Sequence, residues 1–512
     1  EAEARLSTGL NGVDSARAAL AQGKPALVWR KVVADTETPV GAALKLFEDG
    51  RGDFLLESVE GGEVRGRYSL IGLDPDLVFR ATGNDAAINA QWQFARDAFE
   101  PCAADTLESL RSLVESCRCE VPEELPPALA CLVGHFGYET IGLVEKLPRP
   151  EQGEVDVPDM LFVRPTVLLV FDRLSDALFC ISPVWPDGSI DRAEERIDEV
   201  LRKLSSPVAA IEYAAPDHPE PALTPTMAAA DYEAMVLRAK DYIAAGDIFQ
   251  VVLSQRFDVE LDAEPFDVYR VLRQLNPSPY MYFLRYADLS VVGASPEPMV
   301  RLLDGRVVSR PIAGTRRRGR TEADDRRMAA ELAEDPKELA EHVMLVDLAR
   351  NDVGRVVEYG TEVVEEMMTL ERYSHVMHLT SQVAGDLAAG CTPIDVLRAT
   401  LPAGTVSGAP KVRAMEIIDA LEPVKRGPYA GVVGYFDFSG NIDTAITIRT
   451  MLVSDGVASV QAGAGIVADS VPELEHLECQ NKARALLLAI PAARRMTAVR
   501  RAASEAEGES RD

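Results

Sequence analysis

Short stretches of apolar residues, either unbroken or alternating with polar residues, predict β-strands on both sides of the middle of the chain. Residues 160–171 and 177–183 carry two such runs in the first half. In the second half, a helical pattern over residues 228–245 is followed by a strand pattern over residues 249–261. Helices and strands therefore occur together, and no single period dominates the chain.

Two Asp-Gly pairs mark hairpin turns in the second half. Asp304 and Gly305 separate one pair of apolar runs, and Asp455 and Gly456 separate another. Asp-Gly between apolar runs favours a tight turn that joins antiparallel strands. From residue 431 to residue 467 the pattern predicts strand, turn, strand, turn and strand. The predicted class is α+β, with antiparallel sheets and flanking helices.

Proline content divides the chain into parts. Four prolines between residues 216 and 225 predict a surface crossing over residues 214–226. Residues 1–213 then form an N-terminal part and residues 227–493 a second part. The charged, small-residue-rich tail over residues 494–512 is expected to be disordered.

Composition narrows the classes of function. The chain has 53 basic and 82 acidic residues and a net charge of −29, which argues against a nucleic-acid partner. An anionic substrate would need local positive charge. The seven scattered cysteines suit a reducing cytoplasm, so the expected location is cytoplasmic. No apolar run is long enough for a membrane span, and the N-terminal residues do not resemble a signal peptide.

Two pairs of glutamates have the spacing of one helical turn. Asp335 and Pro336 predict a helix start that places Glu338 and Glu341 on one face. Downstream, Ser470 and Glu473 resemble a capping box, and the helix that follows carries another such pair, Glu475 and Glu478. Four carboxylates on two helices offer the oxygen ligands that a hard cation requires. Helix capping and ordinary surface charge are the alternative explanation.

One arginine and a glycine pair are candidates for binding an anion. In a strand predicted over residues 444–453, alternation puts Ala445, Thr447 and Arg449 on one face, with room for a carboxylate. An ion pair with a structural acid explains Arg449 equally well. Residues 463–465 read Gly-Ala-Gly, which lets backbone N–H groups approach an anion, although a β-bulge is the commoner reason for such glycines.

His378 and Glu297 are candidates for acid–base chemistry. Both lie among apolar residues, where burial shifts a pKa. A buried carboxyl group at Glu297 would suit proton donation. A core histidine with satisfied hydrogen bonds is the alternative reading of His378. Taken singly, none of these residues identifies a reaction.

Seven motifs in order, with an eighth upstream, do identify a family. They are residues 55–58 (LLES), 246–256 (GDIFQVVLSQR), 276–283 (NPSPYMYF), 293–297 (GASPE), 311–316 (PIAGTR), 348–356 (LARNDVGRV), 404–411 (GTVSGAPK) and 481–485 (NKARA). This set resembles the chorismate-utilising enzymes, and within them the large components of anthranilate synthases. The resemblance implies two packed antiparallel sheets with helices outside and the active site between them.

The resemblance also assigns roles to residues. Catalytic positions are Gln250, Glu297, His378 and Thr405. Substrate-binding positions are Gly314, Thr315, Tyr429, Arg449, Gly463, Ala464, Gly465 and Lys482. Ligands of a magnesium ion are Glu338, Glu341, Glu475 and Glu478. The ion would hold the ring carboxylate of chorismate, and Tyr429, Arg449 and the glycine backbone would hold the enolpyruvyl carboxylate.

The activity that this implies is magnesium-dependent amination of chorismate at ring C2, followed by loss of pyruvate to give anthranilate, the first step of tryptophan biosynthesis. Glu297 matches the family's acid, which protonates the departing 4-hydroxyl group. None of the seven cysteines has the glycine neighbours of an amidotransferase nucleophile. Ammonia is therefore expected from a separate glutamine amidotransferase subunit, in a dimer or heterotetramer. No nucleic-acid or membrane partner is expected.

Rival branches of the family differ at two positions. Isochorismate and salicylate synthases carry a lysine where this chain has Gln250, and a neutral amide cannot activate water as that lysine does. Aminodeoxychorismate synthases typically have a nucleophilic lysine where this chain has Ala313. These differences favour anthranilate, with the aminodeoxychorismate synthase large component as the alternative. A non-catalytic, ligand-sensing protein would be expected to have lost catalytic residues, yet all are present.

Feedback inhibition by tryptophan is the last expectation. The resemblance makes two segments the halves of one amino-acid pocket remote from the magnesium site. Its residues are Leu56, Glu57, Ser58, Pro279, Tyr280, Met281 and Tyr282. Glu57 would meet the ammonium group, Ser58 would hydrogen-bond the ligand, and Pro279 and Met281 would pack against the indole. The alternative is that these residues form only a strand end beside a proline-rich turn and bind no ligand.

Overall fold

The structure is a computed structural model. It describes residues 9–60, 64–127, 129–148, 156–208, 222–373 and 376–509, and side chains as far as residue 503. Most of the predicted proline-rich crossing, residues 214–221, lies outside the described residues. None of the described helices is long and apolar enough to cross a membrane.

The described helices are α1 (Val13–Ala21), α2 (Pro39–Leu46), α3 (Thr106–Ser116), α4 (Ile190–Leu204), α5 (Ala229–Ala244), α6 (Pro265–Leu275), α7 (Glu322–Glu334), α8 (Pro336–Gly354), α9 (Pro393–Thr400), α10 (Lys411–Leu421), α11 (Pro472–Leu487) and α12 (Ala489–Glu509). Short 3₁₀ turns span Tyr138–Leu143 and Gly404–Val406. The helix predicted over residues 228–245 is thus confirmed as α5.

The strands of the first half are β1 (Ala26–Val33), β2 (Phe54–Glu57), β3 (Val59–Glu60), β4 (Val64–Arg65), β5 (Tyr68–Leu73), β6 (Leu77–Thr82), β7 (Asp85–Asn89), β8 (Glu100–Pro101), β9 (Ala130–Phe136), β10 (Met160–Arg164), β11 (Val167–Asp172) and β12 (Ala177–Val184). The strands of the second half are β13 (Thr224–Pro225), β14 (Gln250–Glu260), β15 (Tyr280–Arg285), β16 (Ser290–Ser295), β17 (Pro298–Leu303), β18 (Arg306–Ser309), β19 (Ile312–Arg317), β20 (Val363–Arg372), β21 (Val376–Asp386), β22 (Gly408–Ala409), β23 (Val432–Asp437), β24 (Ile442–Ile446), β25 (Thr450–Ser454) and β26 (Val457–Ile466).

Two large antiparallel sheets carry the fold. The order of the first is β1-β12-β11-β5-β2-β15-β16-β25-β26-β14-β13, with β22 beside β14. The order of the second is β19-β21-β18-β17-β24-β23-β9-β10-β6-β7-β8, with β20 beside β21. The predicted class, two antiparallel sheets with flanking helices, is confirmed.

Both sheets are built from both halves of the chain. In the first sheet β2 pairs with β15, and Leu56 lies opposite Tyr282. In the second sheet β9 pairs with β23, and Gly134 lies opposite Gly434. On its other side β9 pairs with β10, and a Cβ on Gly134 would stand 1.8 Å from the carbonyl oxygen of Leu161. The two halves therefore share continuous hydrogen-bonded sheets.

Two neighbouring strands pass from one sheet to the other side by side. The chain leaves β16 in the first sheet and enters β17 in the second through Pro296 and Glu297. It returns from β24 to β25 through residues 447–449. The two passages are joined by backbone hydrogen bonds from Ile446 N to Glu297 O (3.0 Å) and from Ala294 N to Arg449 O (3.1 Å).

The prediction of one unbroken strand over residues 444–453 was wrong. The strand breaks after Ile446, and Arg449 has a φ of 48°, in the left-handed region. Simple alternation of Ala445, Thr447 and Arg449 therefore does not apply, because the chain bends from one sheet into the other at this point.

Both Asp-Gly hairpins are confirmed. Asp304 and Gly305 have φ values of 49° and 81°, and Asp455 and Gly456 have values of 50° and 74°. Two consecutive residues with positive φ form the turn that matches the twist of antiparallel strands.

Helix α8 begins as predicted and α11 does not. The Asp335 carboxylate caps α8 by accepting from Lys337 N (3.0 Å) and Glu338 N (3.3 Å). The predicted capping box of α11 is absent, since the N-cap is Val471 and its side chain caps nothing. Ser470 lies one residue too early, and its hydroxyl accepts from Val467 N (2.9 Å) instead.

The tail expected to be disordered over residues 494–512 is instead helical as far as Glu509, in α12. Helix α12 packs on α6, with Ala493 fully buried. The Thr497 hydroxyl donates to the buried carboxylate of Asp267 (2.6 Å), and Arg500 forms an ion pair with the same carboxylate (2.5 Å). These contacts stabilise a segment whose composition alone is typical of disorder.

Candidate active site

The carboxyl group of Glu297 lies at one of the two passages between the sheets. Its residue is 8% exposed, and burial raises its pKa to about 8 even though the Thr405 hydroxyl, Ile312 N–H and nearby Arg449 lower it. A carboxyl group with this pKa is largely protonated at neutral pH and is able to donate a proton. The predicted upward shift at Glu297 thus has a structural basis.

Arg449 lies on the neighbouring passage. Among the described residues, no side chain hydrogen-bonds or ion-pairs with its guanidinium group. Burial lowers its pKa, and the nearby Glu297 partly offsets this effect. A partly desolvated guanidinium group without an acid partner is suited to grip a carboxylate of a ligand.

His378 lies on β21 opposite Thr315 of β19. Its Nδ1 is 3.0 Å from the Thr315 hydroxyl and 3.2 Å from the Gly314 carbonyl oxygen. Burial lowers its pKa to about 4, and Arg449 nearby lowers it further, so the ring is neutral at pH 7. Because a carbonyl oxygen only accepts, Nδ1 carries the proton and Nε2 is left as an acceptor.

The acidic face of α8 continues the site from Gly314. A Cβ on Gly314 would stand 3.0 Å from Glu338 Oε2, and Glu338 Oε1 pairs with Arg316 (3.1 Å). One turn later, burial and the nearby Glu338 raise the pKa of Glu341. The Gln250 amide donates to Glu341 at 3.4 Å.

Helix α11 supplies the opposite side of the site. Glu478 is close enough to Glu341 to raise the pKa of that carboxyl, and it forms an ion pair with Lys482 (2.7 Å). The Lys482 ammonium also donates to the Gly463 carbonyl oxygen (2.8 Å). Burial raises the pKa of Glu475, and repulsion from Glu478 raises it further.

The two glycines of β26 make room for other site residues. A Cβ on Gly463 would stand 2.6 Å from the Tyr429 hydroxyl, and one on Gly465 would stand 2.4 Å from the Gln250 amide nitrogen. Ala464 between them is fully buried, and its side chain lies on the other face of the strand. Only its backbone is available to a ligand.

Every site residue predicted for catalysis, substrate or metal therefore belongs to one connected group. Electrostatic effects on pKa link Arg449 to Glu297 and to His378, and Thr405 to Glu297. A hydrogen bond joins His378 to the Gly314 turn, which approaches Glu338, and electrostatic effects connect the glutamates of α8 and α11. The group ends at Lys482, the glycines of β26 and Tyr429.

Two buried charges beside the site had no predicted role. Lys411 forms an ion pair with Asp352 (2.5 Å), and both side chains are buried. Each residue belongs to a motif noted in the sequence, Asp352 to residues 348–356 and Lys411 to residues 404–411. The motifs mark these residues but do not show that the two pair with each other. The pair ties α8 to the start of α10 and so supports the loop that carries Thr405.

The four glutamates suit magnesium in their chemistry, because carboxylate oxygens are its usual ligands and mutual repulsion here favours a cation. In the described parts of the chain, however, no three His, Cys, Asp or Glu side chains stand close enough together to hold a metal. Arg316 and Lys482 pair with Glu338 and Glu478 in this arrangement. Magnesium binding would require these ion pairs to rearrange.

A cavity of about 820 Å³ lies between the sheets. All the residues predicted for tryptophan line it, namely Leu56, Glu57, Ser58, Pro279, Tyr280, Met281 and Tyr282. The structure thus joins the two predicted segments through the pairing of β2 with β15.

The Glu57 carboxylate, however, does not point into this cavity. It accepts from Tyr269 (2.7 Å) and from Arg273 (2.9 and 3.0 Å) on α6, outside the sheet. Burial alone would raise its pKa, but Arg273 and Tyr269 hold it below the ordinary value. Met281 lies opposite Glu57 in register, so its side chain shares that outer face.

Among the acids that line the cavity is one that the sequence did not single out. Asp443 on β24 accepts from the Tyr280 hydroxyl (2.9 Å) and lies 3.5 Å from Arg301. Burial raises its pKa. Asp443 and Tyr280 lie in different sheets and meet only because the sheets pack against each other, so local sequence gave no signal.

Comparison with known proteins gives the family. The pattern of the chorismate binding enzymes matches residues 52–488. The chain belongs to this family. Anthranilate synthase component 1 of Cereibacter sphaeroides is 48% identical over 91% of this chain and 94% of its own length. That of Thermus thermophilus is 47% identical over 90% of this chain and 97% of its own length.

Solved structures of the family agree with the fold. Anthranilate synthase component I from Streptococcus pneumoniae superposes with a TM-score of 0.75 at 36% identity, covering 89% of this chain and 99% of that one. The menaquinone-specific isochorismate synthase of Escherichia coli has a TM-score of 0.68 at 18% identity, over 94% of this chain and 100% of that one, and so supports the fold alone.

The raised pKa of Glu297 leads to a prediction about pH. A carboxyl group that must be protonated loses function as pH rises through its pKa, so activity should fall near pH 8. Glu297→Gln keeps the shape but cannot donate a proton, and should lower kcat by about 10² to 10⁴. A pH–rate profile checks both statements.

The raised pKa of Glu297 also leads to a prediction about the pH dependence of stability. Because the folded pKa, about 8, exceeds the ordinary value of 4.5, burial of Glu297 costs stability progressively as pH rises from 4.5 to 8. Relative to Glu297→Gln, the free energy of unfolding of the parent should decline over that window. Parallel pH profiles of stability for the two proteins would contradict the raised pKa.

Proposed function

We propose that this chain is the chorismate-aminating component of an anthranilate synthase. It would join ammonia to ring C2 of chorismate and release pyruvate, giving anthranilate for tryptophan biosynthesis. The observation that carries the proposal is the buried carboxyl group of Glu297, whose pKa burial raises to about 8, beside Arg449, which has no acid partner among the described residues. The relatives named anthranilate synthase component 1 support the choice of product.

Substrate binding rests on the positive charge gathered at the site. Arg449 would hold the enolpyruvyl carboxylate, with the Tyr429 hydroxyl and the backbone of residues 463–465 beside it. Lys482 adds a second cation at the Gly463 carbonyl. These groups allow a dianion to bind to a chain with a net charge of −29.

The first chemical step forms the C2–N bond while the bond between C4 and its hydroxyl group breaks. Hydroxide is a poor leaving group, so Glu297 donates its proton and water departs. The second step removes the proton from C2, breaks the bond from the ring to the enolpyruvyl oxygen, and adds a proton to the methylene carbon of the released enolpyruvate to give pyruvate. Neutral His378, with Nε2 free to accept, is the base that the hydrogen bonds favour for this proton.

Magnesium is proposed as the cofactor, held by Glu338, Glu341, Glu475 and Glu478. When bound, the ion would hold the ring carboxylate and offset its charge. Gln250 and Thr405 keep supporting roles, since the Gln250 amide donates to Glu341 and the Thr405 hydroxyl lowers the pKa of Glu297.

Two features favour anthranilate over the products of sister enzymes. Ala313 on β19 is buried and offers no nucleophile where aminodeoxychorismate synthases typically have a lysine. Gln250 hydrogen-bonds Glu341 where the water-using enzymes carry a lysine. Aminodeoxychorismate remains the second candidate product, because the enzymes that make it belong to the same family.

The product assay tests this function. With chorismate, magnesium and ammonium salt, the purified chain should produce the fluorescence of anthranilate. Glutamine should replace ammonium only when a separate amidotransferase subunit is added. Accumulation of aminodeoxychorismate without anthranilate would reject the proposal, and efficient use of glutamine by the chain alone would reject the need for a partner.

The metal assignment has its own test. Glu341→Gln and Glu478→Gln each remove one charge and keep the shape. We expect activity to fall by orders of magnitude, because a metal contributes several kcal/mol of charge stabilisation. Calorimetric titration with magnesium should show weakened binding.

Glu473→Gln is the matched control, since Glu473 is an exposed residue of the same helix. It should bind magnesium and turn over like the parent. Equal loss in all three variants, or normal turnover of the first two in EDTA, would remove the proposed ligands.

Feedback inhibition by tryptophan is proposed for the cavity between the sheets. Asp443 would meet the ligand's ammonium group, the role first expected of Glu57, and Tyr280 would stay beside it. The cavity also reaches Pro296 and Pro298, which flank Glu297. A ligand bound there would shift the position of the Glu297 carboxyl group, provided that the ligand binds one arrangement of the loop from Pro296 to Pro298 better than another.

Two variants test the regulatory site. Ser58→Arg should fill the cavity, and Asp443→Asn should remove the charge that meets the ammonium group. Both should raise the tryptophan concentration needed for half inhibition by about tenfold or more, the value of one lost charged contact.

Leu237→Arg serves as the control, because Leu237 is an exposed apolar residue of α5 and does not line this cavity. It should leave inhibition unchanged. If the parent ignores tryptophan at millimolar concentration, the regulatory proposal fails. If both cavity variants remain as sensitive as the parent, the cavity is not the site.

A further inference from the structure

In the part of the chain that the structure describes, hydrogen bonds hold the His378 ring at one nitrogen. That nitrogen, Nδ1, contacts the Thr315 hydroxyl and the Gly314 carbonyl oxygen, both on β19. A ring held at one nitrogen is free to swing, and the swing displaces Nε2, the atom proposed to take the C2 proton. Proton transfer requires that the accepting atom stay within hydrogen-bond reach of the proton. The plane of the ring therefore needs a second contact.

The ring of Tyr373 supplies that second contact. It stands edge-to-face against the His378 ring, with the ring centres 5.8 Å apart and the planes at 60° to each other. Aromatic rings favour this geometry at such a distance. Tyr373 directly follows the last residue of β20 and is buried, so the contact lies away from solvent.

The backbone of Tyr373 is fixed on both sides. Its N–H donates to the carbonyl oxygen of Val376 (2.7 Å), the first residue of β21. Its carbonyl oxygen accepts from the guanidinium group of Arg318 (2.6 Å). Because His378 is also on β21, one strand pair places both rings.

An ion pair anchors the hydroxyl group of Tyr373. The hydroxyl donates to Glu371 Oε2 (2.9 Å), and Glu371 Oε1 forms an ion pair with Arg310. Burial and the Glu371 carboxylate raise the pKa of Tyr373, so the hydroxyl keeps its proton and remains the donor. Glu371 lies directly opposite His378 in the pairing of β20 with β21. The far end of the Tyr373 ring is thus tied to the strand beside the histidine.

We propose that Tyr373 is a positioning residue that fixes the plane of the His378 ring for removal of the C2 proton. The assignment rests on the proposed function, because that function gives this step to His378. Tyr373 acts through the histidine and takes no proton itself. The amination step depends on Glu297 instead, so loss of the ring contact should slow the second chemical step and spare the first.

A single turnover with the chain in excess over chorismate separates the two steps. In Tyr373→Leu, chorismate should disappear at a rate within about twofold of the parent's. Anthranilate should form about tenfold to a hundredfold more slowly, since a misplacement of about 1 Å has a cost of this order. Samples quenched in between should contain the aminated intermediate, which still carries its enolpyruvyl group. Chromatography with mass detection measures all three compounds.

Tyr373→Phe is the conservative variant, because it keeps the ring and loses only the hydroxyl group. Its rate of anthranilate formation should lie within about fivefold of the parent's, the effect of one lost hydrogen bond. If Tyr373→Leu does not fold, Tyr373→Met carries the test, because methionine fills more of the same space without a ring.

Tyr286→Leu is the matched control. Tyr286 is also buried, and its ring also packs against a histidine, His135, with the ring centres 5.7 Å apart. His135 takes no part in the proposed reaction. Tyr286→Leu should therefore leave the ratio of the two rates unchanged.

The outcomes separate this proposal from the proposed function. A folded Tyr373→Leu that forms anthranilate as fast as the parent would overturn the proposal. Equal slowing of both steps would do the same, as would selective slowing of the second step in Tyr286→Leu. Tyr373→Phe as slow as Tyr373→Leu would also overturn it, because the ring alone would then position nothing. A parent chain that makes no anthranilate from chorismate and ammonium would remove the proposed function and this proposal with it.

Discussion

The site depends on one backbone constraint, the side-by-side passage of two strands from one sheet to the other. Glu297 is on one passage and Arg449 on the other, and hydrogen bonds at Ile446 and Ala294 lock them together. Because the sheets part there, side chains at the passage face a gap between sheets. A carboxyl group there is desolvated, and an arginine is kept from solvent without meeting an acid of its own.

A similar passage in the first half of the chain has an acid partner for its arginine, which the passage at Arg449 lacks among the described residues. There the chain leaves β5 for β6 and returns from β10 to β11, with Thr166 N bonded to Leu73 O (3.1 Å). Arg164 at this passage forms a two-point ion pair with Asp76 (2.8 and 3.0 Å). Its arginine is therefore satisfied within the protein, whereas Arg449 is left for a ligand.

Local sequence predicted the features that depend on local chemistry. Both Asp-Gly hairpins and the Asp335 cap were correct because each is determined within four residues. The raised pKa of Glu297 followed from its apolar neighbours. The roles of the site residues came from the family motifs, and the structure brings those residues into contact.

Features that depend on distant partners could not be read from the sequence. The break at Arg449 arises because its strand changes sheets, which strand periodicity does not show. The Glu57 side chain points away from the cavity because Arg273 and Tyr269 on α6 donate hydrogen bonds to its carboxylate. The order of the tail depends on Asp267, more than two hundred residues away.

The interleaving of the two halves has a consequence for synthesis on the ribosome. Strands β2 and β9 emerge early, but their partners β15 and β23 are made later, and β23 ends at Asp437. At ordinary rates of translation, the strand edges of the first half stay bare for about tens of seconds. Bare edges pair readily with other chains. The nascent first half therefore has to be shielded until the second half emerges.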